Sequence, residues 1–112
     1  MQLDIRSRDI TITDALRVYL TRRLRFALGR FAGRVTRVSA RIADVNGPRG
    51  GIDKRCHLLV TLRSGDRVRI EEADADLYFA IDRAAERARR ALQRLLERRR
   101  EMNTDRIVEW SA

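Results

Sequence analysis

The sequence predicts a two-layer α+β domain: a four-stranded sheet with both helices on one face, in the order β-α-β-β-β-α. Three observations lead there. Four short stretches alternate apolar and polar residues, two longer ones repeat at helical spacing, and each strand has a single apolar side. A chain of 112 residues forms one domain that buries roughly two-thirds of its unfolded surface. No internal repeat or second domain is visible, and no run approaches the ~20 apolar residues of a membrane span.

The first strand covers residues 2–6, QLDIR, with Leu3 and Ile5 on one side. Ile10 and Ile12 stay extended, and Thr13 stands where an N-cap belongs. From Asp14 to Phe31 the period turns helical, with Leu16, Leu20, Leu24, Ala27 and Phe31 in a seam and Tyr19 and Leu28 at its edges. Gly29 and Gly33 mark the end of that helix and the turn out of it. The second strand, Val35–Asp44, points Val38, Ala40 and Ile42 inward and Arg37, Ser39 and Arg41 outward. Asn46-Gly47-Pro48 and Gly50-Gly51 predict a loop, which also holds Arg49, Lys54 and Arg55. It lacks the strand, glycine loop, lysine and helix of a nucleotide cradle. The third strand runs Arg55–Arg63, with Cys56, Leu58, Val60 and Leu62 on one side. Ser64-Gly65-Asp66 turns it into a fourth, Arg67–Glu72, with Val68 and Ile70 inward.

The second helix, Asp74–Arg100, is the longest periodic stretch. Asp74 or Asp76 is its expected N-cap, in keeping with the helix dipole. Leu77, Tyr78, Ile81, Ala84, Ala85, Ala88, Leu92, Leu95 and Leu96 form its apolar face. Arg83, Arg87, Arg90, Arg94 and Arg98 recur in a stripe expected about opposite. Asp82, Glu86 and Glu97 flank the stripe, and Glu86 to Arg90 is an i,i+4 pair. Helical periodicity fades at Asn103-Thr104, so residues 101–112 are expected to be a flexible tail, with Trp110, Ile107 and Val108 available for docking.

Charge points to the partner. The net charge is +9, and 24 of the 25 basic residues are arginine. Arginine's planar fork suits phosphate and base stacking. Between Ala15 and Arg34 there are six arginines and no acid, a density of like charge that destabilises a helix without an anionic partner. The candidate RNA-binding residues are Arg17, Arg22, Arg23 and Arg25 on the first helix and Arg83, Arg87, Arg90, Arg94 and Arg98 on the second. Nucleic acid is expected ahead of an anionic membrane surface. The opening MQLDIRSRDI lacks a secretory apolar run, so the expected location is cytoplasmic.

Chemistry is not expected. Cys56 and His57 are the chain's one cysteine and one histidine; as strand neighbours they point to opposite faces. A disulfide is impossible within the chain, and zinc would have too few of its usual ligands. No metal, cofactor, small-molecule substrate or catalytic role is predicted, and Cys56 is expected to be buried packing.

Three motifs carry a resemblance. MQLDI with the following Arg6, then ITDALRVYLTRRL, then ADLYFAIDRAAERARRALQR, closely resemble the family of ribosome hibernation-promoting factors and ribosome-associated inhibitors. The signature D-[LM]-Y-x-A-I-D falls on Asp76, Leu77, Tyr78, Ala80, Ile81 and Asp82. The likeness spans residues 1–100. It implies a fold similar to the double-stranded-RNA-binding domain with an added first strand. It also implies occupation of the mRNA and tRNA groove of the small ribosomal subunit, inhibiting translation under stress or in stationary phase. Positions usually basic in the family fall on Arg17, Arg23, Arg87, Arg90, Arg94 and Arg98, whereas Arg25 and Arg83 are additional and the tail does not match. The family's long members add a ribosome-pairing domain, for which this chain is too short. A monomer is expected, since Arg37, Arg41, Arg55, Arg63, Arg67 and Arg69 would repel across a two-fold axis, so pairing would need a separate factor. The alternatives are a general double-stranded-RNA-binding module and a protein-binding adaptor using the open sheet face or the tail.

Overall fold

In chain order the elements are β1 (Gln2–Arg8), α1 (Asp14–Leu28), a 3-10 turn (Gly29–Phe31), β2 (Val35–Asp44), β3 (Lys54–Leu62), β4 (Arg67–Asp74) and α2 (Leu77–Ser111). The computed structural model describes residues 1–44 and 53–111, with side chains through Arg100. The glycine-rich loop reading and the side chains around Trp110 therefore lie outside the described residues. The β-α-β-β-β-α order is the one the periodicities predict. Element α2 is longer: its backbone remains helical to Ser111, past the Asn103-Thr104 step where apolar periodicity fades. Loss of an apolar face does not stop a helix whose residues have ordinary propensity and include no proline or glycine.

The sheet order is β1-β2-β3-β4, with β1 parallel to β2 and the other pairs antiparallel. A parallel pair needs a crossover, and α1 supplies it. The chain leaves β1 through Asp9, whose φ of 59° lies in the left-handed region that aspartate tolerates. Thr13 then caps α1, its hydroxyl accepting the Leu16 N–H at 3.1 Å. Leu62 and Asp66 close the β3–β4 turn, with Gly65 at φ +93°.

Alternation puts Val38, Ala40 and Ile42 of β2, and Cys56, Leu58, Val60 and Leu62 of β3, under the helices. From above, α1 contributes Leu16, Leu20, Leu24, Ala27 and Leu28, and α2 contributes Leu77, Ala80, Ile81, Ala84, Ala85, Ala88 and Leu92. Each fully buried leucine here stabilises by about 1.5–3 kcal/mol relative to exposure. The run of alanines under α2 lets the helix axis approach β3 and β4 closely. Tyr78 departs from the predicted apolar face: it is 42% exposed, and Ala80 is buried instead.

Candidate nucleic-acid interface

Exchanging Tyr78 for Ala80 rotates the buried line of α2, and the arginine row turns with it. At about 100° per residue, Arg83, Arg87, Arg94 and Arg98 sit roughly 110° round from the buried line, on the flank above β4. The side opposite the core is occupied by Phe79, Glu86, Gln93 and Glu97 instead. There Glu86 takes Arg89 at 2.6 Å and Arg90 at 3.3 Å, Arg89 donates to Gln93, and Gln93 donates to Glu97. The Arg89 and Arg90 guanidiniums hold the Glu86 carboxyl down at about 2. The outward face is thus the ion-paired one, and the expected position of the stripe is corrected to the β4 flank.

Along that flank the arginines divide into two groups. Arg83 reaches Asp74 at 2.7 Å and the Ala73 carbonyl at 2.8 Å. Arg87 reaches Glu72 at 3.0 Å and the Glu71 carbonyl at 2.9 Å. Both tie α2 to the strand beneath it. Further along, Arg94 and Arg98 are exposed and make no ion pair among the described residues; with Ala91 and Glu97 they line a shallow groove. Arg99 reaches back to Asp66 in the β3–β4 turn.

The arginines of α1 divide as well. Arg23 points toward α2, where its Nε donates to Asp82 Oδ1 at 3.2 Å and its Nη2 to the Asp82 carbonyl at 3.4 Å. The Tyr19 hydroxyl donates to the same Asp82 oxygen at 2.5 Å, and the Tyr19 and Tyr78 rings meet edge to face at 4.7 Å. The hydrogen bond to Asp82, with partial burial, pushes the Tyr19 hydroxyl up to about 12. These four side chains form a clasp between the helices, and Arg23 belongs to it. Arg22 and Arg25 project away from the sheet, exposed and without an ion pair among the described residues. Arg17 is also exposed, and helix geometry puts it on the edge of α1 farther from α2. Phe26 stands 87% exposed, one residue from Arg25 and four from Arg22. Sequence reading missed it; the available signal was a phenylalanine off the leucine seam of α1.

The structure therefore does not gather the nine predicted arginines into one patch. Arg22 and Arg25 with Phe26 form one exposed group and Arg94 and Arg98 another, while Arg23, Arg83, Arg87 and Arg90 already have partners within the fold. Lys54, assigned to the loop by sequence, opens β3 and bonds Asp44 at 2.8 Å and buried Asp53 at 3.3 Å. Cys56 is fully buried, and burial pushes its thiol up to about 12. Among the described residues no three His, Cys, Asp or Glu side chains gather to hold a metal, and no helix is long and apolar enough to cross a membrane.

Known proteins share this architecture. The N-terminal domain of Protein Y from Thermus thermophilus is similar at 32% identity and a TM-score of 0.71, over 85% of this chain and 99% of that one. A ribosomal subunit interface protein from Coxiella burnetii shares the fold, with a TM-score of 0.72 at 16% identity over 87% of this chain and 99% of that one. A search of curated proteins gave no match. The family model described as sigma 54 modulation protein / S30EA ribosomal protein matches residues 3–100, from β1 through most of α2. By that match and the Thermus likeness, the chain belongs to the sigma 54 modulation protein / S30EA family, the hibernation-factor family its motifs resemble.

Proposed function

We propose that this chain is a cytoplasmic hibernation factor that binds the small ribosomal subunit, occupies the groove used by mRNA and tRNAs, and so blocks translation by steric occlusion. The observation that carries this is the set of exposed arginines on the helix layer, Arg22, Arg25, Arg94 and Arg98, with no ion pair among the described residues. Charges so placed repel one another in the free protein and gain energy when phosphate displaces their counterions. Arg17 adds charge at the far edge of α1. Arg83, Arg87 and Arg90 reach phosphate only by sharing or leaving their carboxylate partners, and Arg23 acts through the clasp. Phe26 offers an unpaired base a ring to stack on, between guanidinium groups.

Nothing in this mechanism requires a bond to be made or broken, a metal or a cofactor. Binding is governed by backbone charge and shape, so it weakens steeply with salt. The experiment is gradient sedimentation of the protein with purified small subunits, together with an in vitro translation assay. Co-sedimentation and inhibition at matching concentrations are expected. Full translation at saturating occupancy contradicts occlusion, and equal affinity for a plain RNA duplex would favour a general duplex-binding module.

A further inference from the structure

The helix layer accounts for one face of the domain; the other face of the sheet is also basic. The strand register sets four rows across it: Gln2, Arg37, Thr61 and Arg67; Asp4, Ser39, Leu59 and Arg69; Arg6, Arg41, His57 and Glu71; Arg8, Ala43, Arg55 and Ala73. Acids appear only as Asp4 and Glu71, which take Arg6 at 3.5 Å and Arg55 at 3.3 Å. Arg8, Arg37, Arg41, Arg67 and Arg69 are exposed and have no ion pair among the described residues. Two shallow depressions, of about 520 and 340 Å³, open on this face and share Arg6, Arg41 and His57.

Charges on a sheet commonly guard an edge against pairing with another chain. That does not explain Arg37 and Arg41, which sit on the interior strand β2. Arg6 and Arg41 are register partners, like charges side by side, an arrangement that costs stability in the free protein. Same-face residues along a strand recur at about 6.8 Å, and neighbouring strands at about 4.8 Å. Guanidinium groups on such a grid suit successive phosphates of an extended nucleic-acid strand.

We propose that the outer sheet face is a second RNA-backbone surface, so that the domain holds two RNA segments at once, one on its helices and one on its sheet. This rests on the ribosome-binding function proposed above. It changes the picture from a plug held on one side to a wedge between two RNA walls. The two surfaces lie on opposite sides of the two-layer domain, so a single strand lying on one does not neutralise the other.

The test measures binding of the full chain to purified small ribosomal subunits across a salt series. Three proteins are compared: wild type, a sheet variant (Arg37→Ala, Arg41→Ala, Arg69→Ala) and a helix variant (Arg94→Ala, Arg98→Ala). Each lost phosphate contact lowers the log–log salt slope by about 0.7–0.9. The sheet variant should therefore lose about two units and bind at least tenfold more weakly, and combining both sets should add the losses. A wild-type slope in the sheet variant beside a reduced one in the helix variant overturns this inference and leaves the proposed function standing. Wild-type slopes in both variants overturn this inference and the role given to Arg94 and Arg98, whereas a wild type that does not bind the subunit at all overturns the proposed function instead. A second measurement does not depend on the triple substitution folding. Because Cys56 is wholly buried, a radical-generating probe attaches only to an introduced cysteine, at Ser39→Cys on the sheet or Gln93→Cys on α2. Cleavage of rRNA from both positions, at separate sets of nucleotides, supports the wedge. Cleavage from Gln93→Cys alone refutes it, which is the outcome if the sheet faces a protein or solvent.

Discussion

Removing the carboxylate of Asp82 should cost more stability than removing any exposed ion pair of this domain. Asp82 accepts the Tyr19 hydroxyl at 2.5 Å and the Arg23 Nε at 3.2 Å, and its side chain is 38% exposed against 24% for Arg23. A hydrogen bond to a charged group contributes about 1.5–3 kcal/mol, and partial exposure places each of these near the lower end. Tyr19→Phe removes one bond and leaves Asp82 its arginine, so about 1 kcal/mol is expected. Asp82→Ala strands both donors at once and should cost about 2–3 kcal/mol, or roughly 8–20 °C in Tm for a domain of this size. In a double-mutant cycle the Tyr19→Phe effect should shrink by at least 0.5 kcal/mol, as it does for residues in contact. Urea denaturation followed by circular dichroism measures all four states. An Asp82→Ala protein within about 0.5 kcal/mol of wild type, the range of an ordinary surface change, refutes the clasp.

Other expectations are more local. Cys56→Ala should cost on the order of 1 kcal/mol and leave ribosome binding intact, and zinc should not co-purify with the wild type. Gly65→Ala forces a Cβ into a left-handed turn at φ +93° and should destabilise by about 1 kcal/mol, although nothing lies within 4 Å to clash. Because the Tyr19 hydroxyl is raised from 10.0 to about 12, its contribution is complete below pH 10 and lost as pH rises toward 12; Tyr19→Phe should flatten that part of the stability profile. Phe26→Ala should leave Tm unchanged and weaken subunit binding several-fold, whereas Phe26→Trp should retain it.

Much of the fold is legible in the sequence because each element carries one clean period. The alternation of Val38, Ala40 and Ile42, and of Cys56 to Leu62, survives intact as the buried side of the sheet. Thr13 and Asp76 are local signals and cap as expected, Asp76 Oδ1 accepting the Tyr78 N–H at 2.8 Å. The candidate site is less legible, and Tyr78 shows why. Its position on the helical wheel fits the core edge, but a ring so placed can turn toward a neighbouring helix, and Tyr19 on α1 is there to receive it. That contact is non-local and invisible to periodicity. The same limit applies to Arg83 and Arg87, whose carboxylate and carbonyl partners lie 9–16 residues away on β4. A count of charges within one helix cannot distinguish them from Arg94 and Arg98.

That distinction provides the most direct test of the central claim, that exposed arginines without internal partners carry binding to ribosomal RNA. Affinity for purified small subunits would be measured from low to high salt for Arg94→Ala/Arg98→Ala and for Arg83→Ala/Arg87→Ala. The first pair should lower the log–log slope by about 1.4–1.8, at 0.7–0.9 per phosphate contact. The second should lower it by less, because each arginine must give up a carboxylate to meet a phosphate. Equal slopes in wild type and the first variant, or a larger loss in the second, would contradict the claim.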